Sequence, residues 1–278
     1  MKPEPLNVSL HAGGRADLVR LDPDHPGFRD PVYRARRNEI ARIALEYETG
    51  DPVPEVAYTD EEHGVWREVW RHLGLLHERW ACREYMAYAR RLDFDRSRIP
   101  QLADLNPLLQ RATGFEMEPV AGLVSARTFL EYLSRRIFLS TQYIRHPSTP
   151  LYTPEPDVVH ELVGHAASLM HPGLADLNEA LGRAALAAED GTLVALERIY
   201  WYTLEFGAVE EEGEVKAFGA GLLSSFGELG RFGTEAELVP WDLDRMAATP
   251  YDPTDYQPLV FVGPSYREMV AELLAWLH

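Results

Sequence analysis

The stretch LYTPEPDVVHELVGH, residues 151–165, places two histidines, His160 and His165, five positions apart in a predicted helix. Thr153 is a candidate N-cap for that helix. The two prolines that follow it then fall in the first turn, where the amide N–H has no partner within the helix anyway. The acidic residues of that turn face the positive end of the helix dipole. The stretch therefore predicts that a helix begins near Thr153 and carries both histidines.

The spacing of the histidines decides which chemistry they can serve. Zinc hydrolases of the HExxH type place their histidines four apart, on one face of a helix. Five residues correspond to about 500° of rotation, so the two side chains diverge by about 140° on an ideal α-helix. They can converge on one ion only if the helix bends or ends between them, and Gly164 is the expected place.

A third ligand candidate lies in ERIYWYTLEFGAV, residues 197–209. Glu205 is the only charged residue between Ile199 and Val209. A carboxylate in apolar surroundings is costly unless a cation compensates its charge. Two histidines and one carboxylate form the facial triad that suits a non-haem iron(II) oxygenase. On spacing and composition alone, a structural histidine pair with a salt-bridged glutamate stays open, because ion-pair networks also bury acids.

Charge and composition exclude several classes of partner. The 278-residue chain has a formal net charge of −17 and no run of lysines and arginines, so we expect neither nucleic acid nor an anionic membrane surface as a partner. No stretch has the length of a signal peptide core or of a membrane span, which predicts a cytoplasmic protein. Apolar residues make up 46% of the chain, enough for a full core.

Helical periodicity dominates the chain, which predicts a mainly α protein with minor β. Thr59 and Glu62 form a predicted capping box at the start of one helix. The predicted helices cover residues 32–49, 59–76, 77–92 and 99–113. Residues 115–124 and 258–262 are predicted as edge or hairpin strands, without a βαβ alternation. Residues 1–20 lack a pattern and are predicted to form a loose N-terminal arm.

Seven blocks of this sequence occur in the same order, and at similar separations, in a known family: DHPGFRDPVYRARR, IPQL, PVAGL, STQYIRH, YTPEPDVVHELVGH, IYWYTLEFG and GAGLLSSFGELG. Through these blocks the chain resembles the tetrahydropterin-dependent aromatic amino acid hydroxylases from Leu21 to about Leu273. The resemblance implies a single basket-like catalytic domain over residues 21–278. It also implies Fe(II) held by His160, His165 and Glu205.

The resemblance further implies a pterin site and an amino acid site. Tetrahydrobiopterin, or a related tetrahydropterin, would stack on Phe129 and lie beside Glu161, against the main chain of Gly122, Leu123 and Val124. A flat heterocycle is usually held by such stacking and main-chain hydrogen bonds. The residues implied for substrate binding are Arg145, Tyr152, Thr153, Asp157, Trp201 and Ser224. Among them, Arg145 would bind the α-carboxylate with its planar fork. Ser224 and Glu228 would orient a ligand histidine from behind.

Within this family the chain is expected to hydroxylate L-phenylalanine to L-tyrosine with O2. Leu139 stands where relatives have histidine or glutamine near the substrate ring, and its apolar side chain disfavours a tyrosine hydroxyl. Tyr152 agrees with the phenylalanine and tryptophan enzymes, and Pro253 lies where relatives vary with substrate. Tryptophan 5-hydroxylation and phenylalanine 3-hydroxylation remain alternatives, and a zinc hydrolase is a remote one. The chain has room for neither the regulatory domain nor the tetramerisation helix of the animal enzymes, so a monomer is expected.

Overall fold

The computed structural model describes residues 3–8 and 18–277. The helices are α1 (Pro31–Glu46), α2 (Asp60–Trp80), α3 (Arg83–Leu92), α4 (Leu102–Thr113), α5 (Ala126–Leu133), α6 (Ala167–Leu169), α7 (Pro172–Leu186), α8 (Asp190–Tyr200), α9 (Ala220–Ser224), α10 (Phe226–Arg231), α11 (Leu243–Ala248) and α12 (Tyr266–Trp276), with two π-helical segments, His160–Ala166 and Trp201–Glu205. The strands are β1 (Glu116–Pro119), β2 (Ile137–Ser140), β3 (Ala208–Glu211), β4 (Glu214–Ala217), β5 (Glu237–Pro240) and β6 (Leu259–Gly263). The predicted class, mainly α with minor β, is confirmed.

The long helices begin where the sequence supplies caps. The predicted capping box is present at α2, where the Thr59 hydroxyl accepts from the Glu62 N–H and the Glu62 carboxylate accepts from the Thr59 N–H. The helix continues to Trp80, past the predicted break at residue 76. It ends at Ala81, where the chain forms a parallel bridge with Ala217 at the end of β4. Helix α4 starts three residues later than predicted, because Ile99 precedes a proline and the α conformation is disfavoured there.

The helix predicted to start at Thr153 begins later. Regular helical structure starts at Val158, and the prolines lie in a loop before it. Asp157 is the residue at the start, since its carboxylate accepts from the His160 N–H at 3.2 Å and its carbonyl accepts from the Glu161 N–H at 3.0 Å. The Thr153 hydroxyl instead donates to the Glu155 carbonyl within the loop. The proline-rich loop therefore precedes the helix and is not its first turn.

The strands correct two further predictions. β1 and β2 are parallel neighbours joined through α5, which is a βαβ unit that the sequence did not reveal. The other sheet has the order β4-β3-β6-β5, so β6 lies inside it and pairs in parallel with both β3 and β5. The prediction of an edge or hairpin strand was wrong for β6. Its central residues Val260 and Phe261 are fully buried, as expected for an inner parallel strand.

The π-helical segment His160–Ala166 runs through the middle of the main hydrophobic core. Its apolar side chains, with those of Val158 and Val159 just before it, are fully buried. The segment packs closely on α9, and a Cβ at Gly164 would stand 2.8 Å from the Ala220 carbonyl oxygen. Within the described residues, no helix combines the length and the apolar character needed to cross a membrane.

Part of the N-terminal arm differs from its prediction. Residues 1, 2 and 9–17 lie outside the described residues. Val8 and Val19 form an antiparallel bridge, and both side chains are buried against Ala41, Ala44 and Ala121. This part of the predicted loose arm is therefore packed on α1 and on the segment that follows β1.

Candidate metal centre and its surroundings

The two histidines converge because the helix that carries them is a π-helix. Its hydrogen bonds run from residue i+5 to residue i, so side chains five positions apart stand one above the other. His160 and His165 thus point the same way, which an α-helix would prevent. The predicted bend at Gly164 is wrong, since the segment continues through Gly164 into α6. Gly164 instead allows α9 to approach.

A second π-helical turn places the carboxylate. Helix α8 passes into the segment Trp201–Glu205, and the Phe206 N–H donates to the Trp201 carbonyl five residues back at 2.9 Å. This wide turn ends the helix and directs Glu205 towards the histidines. π-helical turns are rare and are frequently found at functional sites.

The three predicted ligands have the geometry of an ion site. His165 Nε2 lies 3.0 Å from His160 Nε2 and 2.9 Å from Glu205 Oε1, and His160 Nε2 lies 3.5 Å from Glu205 Oε2. An octahedral ion with bonds of about 2.1 Å needs neighbouring donors about 3.0 Å apart. The hydroxyl of Tyr200 lies buried nearby and finds no hydrogen-bond partner among the described residues. The donor set therefore fits a divalent metal with open positions.

A hydrogen bond from behind fixes the tautomer of His160. The Ser224 hydroxyl donates to the Ala220 carbonyl at 2.7 Å, and it lies 2.9 Å from His160 Nδ1. A hydroxyl has one proton, so towards the imidazole it accepts, and Nδ1 carries the hydrogen. The lone pair of Nε2 then points into the site, as metal binding requires. Of the two residues predicted to orient a histidine, Ser224 contacts one.

The electrostatics of the three side chains suit a cation. Burial lowers the pKa of His160 to about 4, so its ring is neutral at physiological pH. Burial alone would raise the pKa of Glu205, but the two imidazoles hold it below its usual range. Burial would likewise lower the pKa of His165, and the Glu205 carboxylate raises it above the ordinary value. Each of Glu205 and His165, 2.9 Å apart, therefore favours the charged form of the other.

The Glu161 side chain is bonded to Thr141, the residue that follows β2. Its carboxylate accepts from the N–H and the hydroxyl of Thr141, at 3.1 and 2.9 Å. Burial raises the pKa of Glu161 to about 7. Glu161 is thus a fixed acceptor that can also carry a proton near neutral pH.

Phe129 lies at the edge of the same region. Its ring packs edge-on against Phe138 and Tyr200, at centroid distances of 5.4 and 5.3 Å. Phe138 in turn lies 4.5 Å from the ring of His165. Val124 and Phe129 also pack against a small apolar cluster that includes Leu139. Phe138 therefore lies between Phe129 and the ring of His165, and Leu139 belongs to the apolar cluster that Val124 and Phe129 pack against.

Arg145 and Asp157 form a bidentate ion pair in the protein interior. Arg145 Nε and Nη2 donate to the two carboxylate oxygens at 2.8 and 2.7 Å, and the Arg145 main-chain N–H adds a third bond. The guanidinium holds the pKa of Asp157 below its usual range despite complete burial, which would raise it. Nη1 takes no part in the pair. Asp157 therefore fixes the orientation of the Arg145 side chain.

Trp201 is held by three contacts that fix its ring. Its Nε1–H donates to Gln257 Oε1 at 2.8 Å, its ring stacks on Tyr251 at 4.1 Å, and it packs against Phe206 at 4.6 Å. Glu228 accepts from the Gln257 N–H at 3.0 Å, and burial raises its pKa to about 7. Glu228 therefore supports Trp201 through Gln257, which corrects its predicted contact with a ligand histidine.

Three predicted residues lie further out. Tyr152 is 45% exposed, and Thr153 is half-buried in the loop before the helix. Pro253 is exposed on the loop between α11 and β6, the loop that also carries Tyr251 and Gln257.

Sequence reasoning missed Thr141, Tyr200, Tyr251 and Gln257. Thr141 and Tyr200 lie inside quoted blocks, so their membership of those blocks was a usable signal. Tyr251 and Gln257 stand in a loop without a motif. They reach Trp201 from about fifty residues away, a distance over which local patterns carry no information.

Comparison with known proteins agrees with this site. The model of the biopterin-dependent aromatic amino acid hydroxylases matches residues 16–278, so the chain belongs to that family. The predicted fold class, the catalytic domain of these hydroxylases, is thereby confirmed.

Individual relatives divide between two activities. Phenylalanine-4-hydroxylase of Mus musculus is 46% identical over 255 residues, which are 90% of this chain and 56% of the relative. Tyrosine 3-monooxygenase of Canis lupus familiaris is also 46% identical, over 253 residues, which are 89% of this chain and 51% of the relative. The chain therefore spans about half the length of these relatives.

Solved structures share the fold. Phenylalanine hydroxylase from Chromobacterium violaceum, crystallised with iron(III) and 7,8-dihydrobiopterin, matches with a TM-score of 0.77 and 32% identity over 86% of this chain and 90% of that one. The apo enzyme from Colwellia psychrerythraea 34H matches with a TM-score of 0.73 and 29% identity over 80% of this chain and 90% of that one.

Proposed function

We propose that this protein hydroxylates the ring of L-phenylalanine to give L-tyrosine, with O2, a tetrahydropterin and Fe(II). The observation that carries the proposal is the set of three convergent donors, His160, His165 and Glu205, within hydrogen-bond distance of one another at the meeting point of two π-helical turns. This set fits iron(II) with open coordination positions. When bound, iron and pterin would together supply the activation of O2 and two electrons.

The pterin would occupy the side of the site bounded by Phe129 and Glu161. The face of Phe129 offers stacking, and the Glu161 carboxylate, fixed by Thr141, offers a hydrogen-bond acceptor to the N–H groups of the heterocycle. The loop Gly122–Val124 would add main-chain hydrogen bonds. The position of Phe129 two ring contacts away from His165 supports this arrangement.

The amino acid would bind between Arg145 and Trp201. Three N–H groups of the Arg145 guanidinium are not used by Asp157, and they suit the α-carboxylate of the substrate. Trp201, immobilised by Gln257 and Tyr251, would form a wall for the aromatic ring. Thr153, Tyr152 and Ser224 complete the proposed site from the loop and from α9.

The choice of phenylalanine over tyrosine rests on polarity. Relatives of both activities are equally similar to this chain, so overall identity does not separate them. Leu139 is buried in an apolar cluster and offers no partner to a ring hydroxyl. An unpaired buried hydroxyl costs about 1–3 kcal/mol, which is one to two decades in selectivity. Extra bulk, as in tryptophan, would be decided by the loop that carries Pro253.

Competition between substrates tests the proposal. Purified protein is loaded with Fe(II) and supplied with tetrahydrobiopterin, O2 and equal concentrations of phenylalanine, tyrosine and tryptophan, and the products are separated by chromatography. We expect para-tyrosine as the main product, with pterin oxidised in step. A kcat/KM that favours tyrosine or tryptophan would overturn the substrate assignment, and meta-tyrosine would overturn only the ring position. Absence of any hydroxylated amino acid would overturn the proposed activity.

The remote zinc-hydrolase alternative is tested separately. It would use Glu161 as a general base on a metal-bound water. The Glu161 carboxylate instead accepts two hydrogen bonds from Thr141, and the histidine spacing differs from that of HExxH enzymes. Zinc-loaded protein should show no peptidase activity.

Light scattering during size-exclusion chromatography checks the predicted monomer.

A further inference from the structure

The N-terminal arm contacts the loop assigned to the pterin. The Leu6 N–H donates to the Leu123 carbonyl at 2.6 Å, and Asn7 Oδ1 accepts from the Leu123 N–H at 3.1 Å. The Arg20 N–H donates to the Asn7 carbonyl at 2.8 Å, which holds Asn7 from the other side. Both main-chain polar groups of Leu123 are thus bonded to residues more than one hundred positions away.

The contact between Asn7 and the loop depends on a glycine. A Cβ at Gly122 would overlap with the side-chain oxygen of Asn7. Gly122 therefore lets the Asn7 amide lie directly over the loop, where its oxygen meets the Leu123 N–H. Such a close approach of a side chain to a backbone is a typical use of glycine.

The arm is anchored independently of Asn7. Val8 and Val19 are buried in their own apolar cluster with Ala41, Ala44 and Ala121. Burial of two valine side chains stabilises the packed arm by more than a single hydrogen bond does. Loss of the Asn7 side chain should therefore leave the arm in place and release only the Leu123 amide.

The bonds from Leu6 and Asn7 to Leu123 leave other main-chain polar groups of the loop available to a ligand. Among the described residues, no hydrogen bond uses the main chain of Gly122 or Val124. The loop is thus held by its central residue, and the polar groups on either side of it stay available. Val124 packs against the same cluster as Phe129, so this part of the loop adjoins the region assigned to the pterin.

We propose that Asn7 is a positioning residue for the pterin: it fixes the Leu123 amide, and thereby the main-chain groups of Gly122 and Val124 that would bind the heterocycle. The inference rests on the proposed function, because it takes this loop as part of the pterin site. Asn7 itself touches neither substrate nor metal ligand.

Three variants test the inference. Asn7→Ala removes the acceptor for the Leu123 N–H, and Asn7→Asp keeps it. Glu4→Gln is the control, because it changes an exposed residue of the same arm that does not bond to Leu123. Calorimetric titration of the iron-loaded proteins with 7,8-dihydrobiopterin should give about threefold to tenfold weaker binding for Asn7→Ala, the loss expected for one hydrogen bond. The other two variants should bind like the unchanged protein. KM for tetrahydrobiopterin should rise in step, while kcat and KM for phenylalanine stay constant.

Hydrogen exchange reports on the contact itself. In peptides that cover residues 120–126, the exchange of the Leu123 amide should accelerate in Asn7→Ala and stay slow in Asn7→Asp. Unchanged pterin affinity in Asn7→Ala, with faster exchange at Leu123, would overturn the inference while leaving the proposed function intact. Failure of the unchanged protein to bind or oxidise pterin would overturn the proposed function instead.

Discussion

At the scale of single residues, the site depends on which protons are fixed before any ligand binds. The Ser224 hydroxyl donates its only proton to a backbone carbonyl. His160 therefore carries its hydrogen on Nδ1, towards Ser224, and presents an unprotonated Nε2. Asp157 orients Arg145 and compensates its charge in a position where an unpaired guanidinium would be very costly. In both cases a buried neighbour sets the orientation of the group that would bind the metal or the substrate.

Loss of the carboxylate should abolish metal binding. Glu205→Ala leaves two histidines, which hold Fe(II) poorly, and removes no apolar core contact. We expect iron content after gel filtration to fall to background and turnover to be lost, with a circular dichroism spectrum like that of the unchanged protein. Glu210→Ala, which removes an exposed carboxylate from the neighbouring strand β3, is the matched control and should keep its iron. Stoichiometric iron in Glu205→Ala would remove Glu205 from the site.

Replacing the guanidinium of Arg145 with an ammonium group should weaken binding of the amino acid substrate. Arg145→Lys can keep a single bond to Asp157, but it cannot offer a planar fork to a carboxylate. We expect KM for phenylalanine to rise by about tenfold to a hundredfold, the loss of one charge-assisted hydrogen bond, while KM for tetrahydrobiopterin stays constant. Arg90→Lys on the exposed face of α3 is the control. An unchanged KM for the amino acid would contradict the assignment of Arg145.

At the scale of elements, the two π-helical segments do what α-helices could not. One aligns a histidine pair five residues apart, and the other turns Glu205 back towards that pair. A π-helix has more residues per turn than an α-helix and rarely forms. Tertiary packing must therefore favour the wider turn here. The contact between Gly164 and α9 is one such packing constraint, because α9 also carries Ser224.

A methyl group at that contact should disturb the metal centre. Gly164→Ala places a Cβ 2.8 Å from both the carbonyl oxygen and the Cβ of Ala220, and neither can move without shifting α9. Overpacking of this kind costs about 1–3 kcal/mol. We expect denaturant unfolding to show that loss and iron titration to show weaker binding. Gly191→Ala, in the first turn of α8 with open space around it, should be neutral or stabilising. Equal stability of the two variants would contradict the packing argument.

At the scale of the whole molecule, the buried side chain of His77 connects α2 to α9, the helix that carries Ser224. His77 of α2 bonds to the Leu223 carbonyl of α9 at 2.7 Å, next to Ser224, so the longest helix braces the element behind the metal ligands. Burial lowers the pKa of His77 to about 4. The imidazole is therefore neutral in the folded protein at a pH where the unfolded chain would protonate it.

This linkage predicts acid sensitivity. The pKa of His77 is lower in the folded than in the unfolded state, about 4 against about 6.5, so its contribution to stability is full above pH 6.5 and is lost as pH falls towards 4. Between pH 8 and pH 5 it amounts to about 2 kcal/mol.

His77→Gln keeps a donor for the Leu223 carbonyl but does not titrate. Urea unfolding of the metal-free proteins should show a smaller loss of stability between pH 8 and pH 5 in the variant than in the unchanged protein. His72→Gln, on the more exposed face of the same helix, is the control. Equal pH dependence in all three proteins would contradict the assignment to His77.

The amino-acid sequence by itself determined the features that depend on nearby residues or on residue type. The capping box of α2 follows from Thr59 and Glu62, three positions apart, and the mainly α class follows from apolar periodicity. The three metal-ligand candidates were visible because two histidines share one short segment and Glu205 is a lone charge among aromatic residues. The resemblance to a known family then gave these residues a common role.

Only the tertiary structure decided how those residues meet. Local sequence does not choose between a π-turn and an α-turn, and the packing of α9 at Gly164 is one contact that favours the wider turn. The helix start at Asp157 is fixed by Arg145, the support of Trp201 by Gln257, and the position of Leu123 by Asn7. Each is a contact between segments separated along the chain. The free energy of such contacts appears only once the chain has folded, and no local pattern of the sequence encodes it.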